Sequence, residues 1–237
     1  MSHSNRQFAI ALESYLELKD EVSALPSRPK TVSPTMSSVL AEIGPLPREA
    51  LFLGMASDGL PVLLNLHDAI PGPLLVTGEA GSGKTIFLQS IVRSLIQTHK
   101  PNDLQYGVVT SHPGKWDEIE NTNHRVGIFS VNDTSAQDLI LSMATWAHKN
   151  KKARQSVLLL VDDLEAIAKL DFDTLRNFRW LLARGPSRHV WPIITMDADR
   201  YGQVLSWIPL FRTRIFGLIK NERIGNALGG DKVSVLD

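Results

Sequence analysis

The chain has 237 residues, 43% of them hydrophobic, with no cysteine and with Lys+Arg and Asp+Glu both totalling 25. That length supports one globular domain with a full-sized core plus an appended arm, and the zero formal charge gives no global pull toward nucleic acid. The lack of cysteine excludes a disulfide framework and a thiolate metal site, and it fits a cytoplasmic location; no apolar run approaches the ~20 residues that cross a bilayer.

Residues 5 to 24 place Phe8, Leu12, Tyr15, Leu16 and Val22 along one helical face, with acids interspersed as no signal peptide has them. The Pro- and Ser-rich stretch "LPSRPKTVSPTMSS" then reads as a linker. This divides the chain into a helical arm with its linker, residues 1–36, and a main domain, residues 37–237. The arm either docks a protein partner or packs on the main domain.

From residue 50 onward strands and helices alternate. The pattern predicts strands at 60–66, 73–77, 104–110, 126–131, 156–163, 190–196 and 213–219. Helices are predicted over 84–98 and over 134–150, the latter opened by Thr134 with Gln137 three positions on; another runs from an Asp173 cap to Arg184, stopped by Gly185 and Pro186. Continuous apolar strands joined by crossover helices imply an α/β fold with a mainly parallel sheet covered by helices on both faces.

The stretch "GEAGSGKT", residues 78–85, fits the phosphate-loop pattern G-x-x-x-x-G-K-[ST] without a gap, with a strand before it and a helix after it. Gly78, Gly81 and Gly83 let the backbone take forbidden conformations or approach a ligand closely. Glu79, Ala80, Ser82 and Ile86 complete the cradle. Main-chain amides and the helix N-terminus attract phosphate, Lys84 reaches the terminal phosphates, and the Thr85 hydroxyl ligates Mg2+. The expected cofactors are therefore a nucleoside triphosphate and Mg2+.

"SVLLLVDD" ends a buried strand in two acids. Asp162 is the expected metal residue and Asp163 the carboxylate that polarises the attacking water; the bland alternative is a solvated turn after a core strand. A complete strand lies in sequence between the loop strand and this one, so the acid strand is not expected to lie directly beside the loop strand.

Together these residues resemble the motor core of the FtsK/SpoIIIE/HerA group of P-loop ATPases, including its secretion-linked EccC branch. The resemblance rests on "GPLLVTGEAGSGKTIFLQSIVRSLI", "WAHKNKKARQSVLLLVDDLEAI" and "IPLFRTRIFGLIKNERIGNALGG". It implies a RecA-like fold, adenine rather than guanine nucleotides, a homo-oligomer that is often a hexamer, and movement of DNA or of a protein substrate. It also implies an arginine supplied to a neighbouring subunit, for which Arg214 is the first candidate and Arg212, Arg184 and Arg188 are alternatives. Two departures point to slow hydrolysis, or to a nucleotide-binding assembly or regulatory module: Asp163 replaces the glutamate of many relatives, and Met196 stands where the motors carry a sensor glutamine. The basic run "HKNKKAR" is either a cationic helix end or a nucleic-acid contact, "SHPGKWDEIENTNH" is a loop facing the substrate or the pore, and His112, His124 and His148 lack metal-ligand spacing.

Overall fold

A computed structural model describes residues 35–149 and 154–229. The expected helix over 5–24 lies outside them. The chain divides into two compact units, Met1–Val39 and Leu40–Asp237. A short helix, α1 (Met36–Ile43), occupies part of the stretch read as linker and buries none of its residues.

The second unit opens with an antiparallel hairpin, β1 (Ala50–Met55) and β2 (Pro61–Asn65), whose register shifts between Phe52 and Gly54. Six strands then form one parallel sheet: β3 (Leu74–Gly78), β4 (Leu104–Thr110), β5 (Arg125–Ser130), β6 (Ser156–Asp162), β7 (Val190–Asp197) and β8 (Thr213–Phe216). Their order is β5-β4-β6-β7-β3-β8. Strand β7 therefore separates the loop strand β3 from the acid strand β6, as the sequence spacing implied.

The connecting helices are α2 (Lys84–Thr98), α3 (Thr134–Lys149), α4 (Leu164–Ile167), α5 (Phe172–Arg184) and α6 (Glu222–Gly229). Helix α5 is capped by Asp171, whose side chain accepts from the Thr174 N–H, not by the expected Asp173. Asp171 has the extended backbone a capping residue needs, while Asp173 already sits in the first helical turn.

Alternation along the strands sends side chains to opposite faces. Leu74, Val76, Leu158, Leu160 and Ile193 pack with α2, β1 and Trp116 on one face. Leu75, Leu159, Val161, Ile194 and Met196 pack with α3 and α5 on the other. Both faces are covered, so β3 and β6 are buried at every position. Parallel strands all end on the same edge, which gathers the phosphate loop after β3 and the acids after β6 at one side of the sheet.

The close seat of helix α5 on β7 requires glycine at its end. A Cβ on Gly185 would stand 2.3 Å from the Leu181 carbonyl oxygen and 2.7 Å from that of Val190, both fixed backbone atoms. Gly185→Ala is expected to destabilise the domain by about 1–3 kcal/mol in urea denaturation, whereas Gly202→Ala, with open space around it, is expected to stay within about 0.5 kcal/mol of the parent.

Candidate active site

The phosphate loop needs glycine for two different reasons. Gly81 and Gly83 have φ of 79° and 85°, the left-handed region that side chains disfavour. Gly78 is required by packing instead: a Cβ there would lie 2.5 Å from the Ser82 Oγ and 3.3 Å from the Gly217 Cα. Within the turn, the Lys84 ammonium donates to the carbonyls of Gly78 (2.8 Å) and Glu79 (2.7 Å), which holds it over the loop. Helix α2 starts at Lys84, so its first-turn amides lack helical partners and its positive dipole end meets the same cavity. That combination is an anion seat.

Ala80, Gly81, Gly83, Lys84, Thr85 and Ile86 line a cleft of ≈ 620 Å³, a size suited to a nucleotide. Glu79 and Ser82 do other work. The Glu79 N–H donates to the Leu218 carbonyl (2.9 Å), and its carboxylate accepts from the Lys220 N–H. Glu79 thus braces the loop against the segment after β8, while Ser82 fills the gap between Gly78 and Gly217.

At the end of β6, Asp162 is 8% exposed. Its carboxylate accepts from the Thr85 hydroxyl at 2.9 Å and from the Thr195 hydroxyl at 2.9 Å. Parallel pairing of β6 with β7 sets Asp162 opposite Thr195, and pairing of β3 with β7 sets Gly78 opposite Asp197. Thr85 and Asp162 bring hard oxygen donors of the kind Mg2+ takes to one point beside the phosphate seat, so the residues fit that ion.

Asp163 has φ 116°, a strained value for a residue with a side chain. It caps α4 by accepting from the Ala166 N–H at 3.2 Å, and it accepts from the Ser111 hydroxyl at 3.1 Å. Two residues on sits Glu165, a residue sequence reasoning missed. It lines the same cleft yet is 2% exposed. Its Oε1 accepts from the Asp197 N–H at 2.7 Å, while its Oε2 is buried without a hydrogen-bond partner. Burial first, and the neighbouring Asp163 side chain next, push the Glu165 carboxyl up to about 8.

The remaining candidates fall elsewhere. The Arg214 guanidinium donates to the carbonyls of Ile208 (3.1 Å), Phe211 (3.3 Å) and Leu228, tying β8 to α6. That internal anchoring runs against the expected trans-acting role, because the fork would have to abandon three bonds in its own chain. Met196 is fully buried in the face covered by α3 and α5, so its side chain says nothing about contact with a phosphate. Thr195, one residue earlier and on the other side of the strand, is the one that meets the site. The stretch expected to face substrate contributes His112, Gly114, Lys115 and Glu118 to the cleft wall, anchored where the Gln89 side chain donates to the Lys115 carbonyl. In the basic run, His148 stacks on Trp180 at 3.9 Å, and residues 150–153 lie outside the described residues. Arg200, also missed, lines the cleft beyond β7.

Comparison with known proteins identifies this arrangement. The NACHT domain family model matches residues 72–201, more than half of the chain and inclusive of the loop, both acids and Thr195. The ESX secretion system protein EccC of Geobacillus thermodenitrificans is 26% identical over 182 residues, which is 76% of this chain and 11% of that relative. The chain thus spans about a tenth of the length of the curated relatives it matches. EssC (ATPases 2 and 3) from Geobacillus thermodenitrificans superposes with a TM-score of 0.67 at 14% identity, over 90% of this chain and 44% of that one. EccC of Thermomonospora curvata (ATPases 2 and 3), solved in complex with a signal sequence peptide, gives 0.58 at 19% identity, over 78% and 34%. The RecA-like parallel sheet is common to these structures, and no helix among the described residues is long and apolar enough to cross a membrane. The chain belongs to the NACHT-domain family of P-loop ATPases and is homologous to the ATPase domains of the EccC and EssC secretion proteins.

Proposed function

We propose that residues 37–237 act as a Mg2+-dependent ATPase module that works as an oligomer to move or remodel a polypeptide substrate. The observation that carries this reading is the hydrogen-bonded set Thr85–Asp162–Thr195 beside the Lys84 loop. Lys84 and the amides of α2 hold the terminal phosphates, and Thr85 and Asp162 hold the metal. When bound, Mg2+ would neutralise phosphate charge and orient the terminal phosphoryl group. Asp163, projected from a strained backbone at the cleft, orients the attacking water and accepts its proton. A polypeptide is favoured over DNA by the zero net charge of the chain and by the signal-peptide complex of the Thermomonospora curvata relative.

A second reading is favoured by two observations: Asp163 is one methylene shorter than glutamate, and Arg214 is engaged internally. Under it the module binds ATP chiefly as an assembly or regulatory ligand and hydrolyses it weakly.

Lys84→Ala is expected to weaken binding of a fluorescent ATP analogue by about 10- to 100-fold, the loss of a charge-assisted contact. Asp162→Asn is expected to remove most of the Mg2+ dependence of that binding. Parent-like affinity in Lys84→Ala would sink the nucleotide assignment. ATP turnover, followed by phosphate release, is expected to be indifferent to duplex DNA, with a solution mass that rises on adding Mg-ATP. DNA-stimulated turnover would replace the polypeptide substrate with DNA, and tight ATP binding with background turnover would favour the assembly reading.

A further inference from the structure

Behind the two acids that the acid-strand motif explains lies a third, which that motif does not. Glu165 joins two structures far apart in sequence. Its own turn, α4, follows directly on the acid strand β6, and its Oε1 accepts the N–H of Asp197 at the end of β7, 2.7 Å away. The other oxygen, Oε2, is sealed from solvent with no hydrogen-bond partner, and the neighbouring acid is Asp163. A buried carboxylate oxygen with no donor facing it is costly if charged; a buried carboxyl bearing a proton on that oxygen presents a donor instead.

We propose that Glu165 is a positioning residue that stays neutral and presents the hydrogen on its Oε2 toward the Asp163 carboxyl, locking Asp163 between the ends of β6 and β7 in the orientation that addresses the attacking water. This inference rests on the ATPase reading above and adds to it a residue outside the phosphate-loop and acid-strand motifs. Asp163 has room for the contact. Its Oδ1 takes the Ala166 N–H and its Oδ2 the Ser111 hydroxyl, which leaves lone pairs on both oxygens. The backbone of Asp163, at φ 116°, does not hold itself in place, so its neighbours must fix it. The raised titration of Glu165, to about 8, agrees with a proton retained at neutral pH. The charged and titratable groups that share the cleft with it are Asp162 and Asp163 after β6, Asp197 and Arg200 after β7, Lys84 on the loop, and His112, Lys115 and Glu118 on the far wall. The carboxylate of Asp197 is itself engaged, accepting the Asp199 N–H.

Glutamine at this position keeps the shape, accepts the Asp197 N–H through its oxygen and donates through its amide, so it copies the neutral acid. Leucine keeps the bulk and removes both functions. Steady-state hydrolysis by the full chain is expected to show kcat reduced about tenfold or more in Glu165→Leu, with the KM for Mg-ATP and the affinity for a non-hydrolysable ATP analogue within about twofold of the parent. Glu165→Gln is expected to restore kcat to within about threefold of the parent. Loss in Glu165→Gln as severe as in Glu165→Leu would overturn the proposal in favour of an ionised Glu165, and parent-like kcat in Glu165→Leu would overturn it outright. A readout independent of turnover is the melting temperature against pH. The native carboxyl keeps its proton up to about 8 while the unfolded one sheds it near its ordinary value of 4.5, so between these values folding takes up a proton and stability falls as pH rises. The parent is therefore expected to lose several degrees more than Glu165→Gln between about pH 5 and pH 8, and equal slopes would contradict a retained proton. Failure of the ATPase reading itself would register separately, as parent-like ATP affinity in Lys84→Ala.

Discussion

The Asp162 carboxylate holds the site together, because three elements that are not neighbours in sequence meet on it. It takes one hydrogen from Thr85, at the start of α2, and one from Thr195, near the end of β7. Neighbouring strands lie about 4.8 Å apart, and β7 separates β3 from β6, so the loop strand and the acid strand are roughly 10 Å apart in the sheet. The loop and the first turn of α2 have to lean across β7 for Thr85 to reach the acid. Thr195 then fills the place beneath the contact, supplying a donor where a buried carboxylate would otherwise lack one. A carboxylate that is 8% exposed needs such donors to remain buried. The same two hydroxyls fix the orientation of Asp162, so the feature that satisfies the buried acid also preorganises the position proposed for Mg2+.

Much of this was readable from residue order, and the reason is that spacing within one segment is local. The stretch from Gly78 to Thr85 carries its own geometry, since two left-handed turns, a lysine and a helix start are fixed by eight consecutive residues. The separation of β3 and β6 by another strand was likewise legible from the length of chain between them. The register of β6 against β7 was not. Only that pairing reveals that Thr195 meets Asp162 while Met196, adjacent in sequence, points into the opposite core. Met196 therefore packs in the core and not against the site, because successive strand residues face opposite ways. Glu165 escaped notice for a related reason. In "DDLEAI" it reads as a helical surface acid, and only the tight turn of α4 against β7 brings it inward.

The two ionic residues whose positions differ most from expectation share a cause. Glu79 sits where the phosphate-loop pattern places nucleotide contacts and Arg214 where the resemblance places a subunit contact, yet each spends its hydrogen-bonding capacity on backbone near β8. Strand β8 is a short edge strand, Thr213–Phe216, paired on one side only. Its continuation after Phe216 must support the phosphate loop although it is no longer a strand. The Glu79 carboxylate on the Lys220 N–H, the Leu218 carbonyl on the Glu79 N–H, and the Arg214 fork on three carbonyls supply the order that a longer ladder would have given. The loop is held rigid from the side away from the ligand, which lowers the ordering cost when phosphate binds.

Backbone strain and a buried carboxyl meet at this corner of the site. Asp163 is one of two non-glycine residues with positive φ among the described residues, and the buried Glu165 Oε2 is only two residues beyond it. A left-handed aspartate costs on the order of 1–3 kcal/mol, and a buried unpaired carboxyl oxygen costs a comparable amount. A fold tolerates such terms only where the surrounding packing over-determines them. Here β6 and β7 provide it, buried at every position but the last of β7 and carrying α4 between their ends. Relieving the strain, for example by a glycine in place of Asp163, would stabilise the turn and remove the carboxylate from the cleft. Stability and chemistry therefore pull in opposite directions at this point. The cost falls on Asp163 and Glu165 just after β6, while Leu164 between them is buried in the core and holds the turn in place.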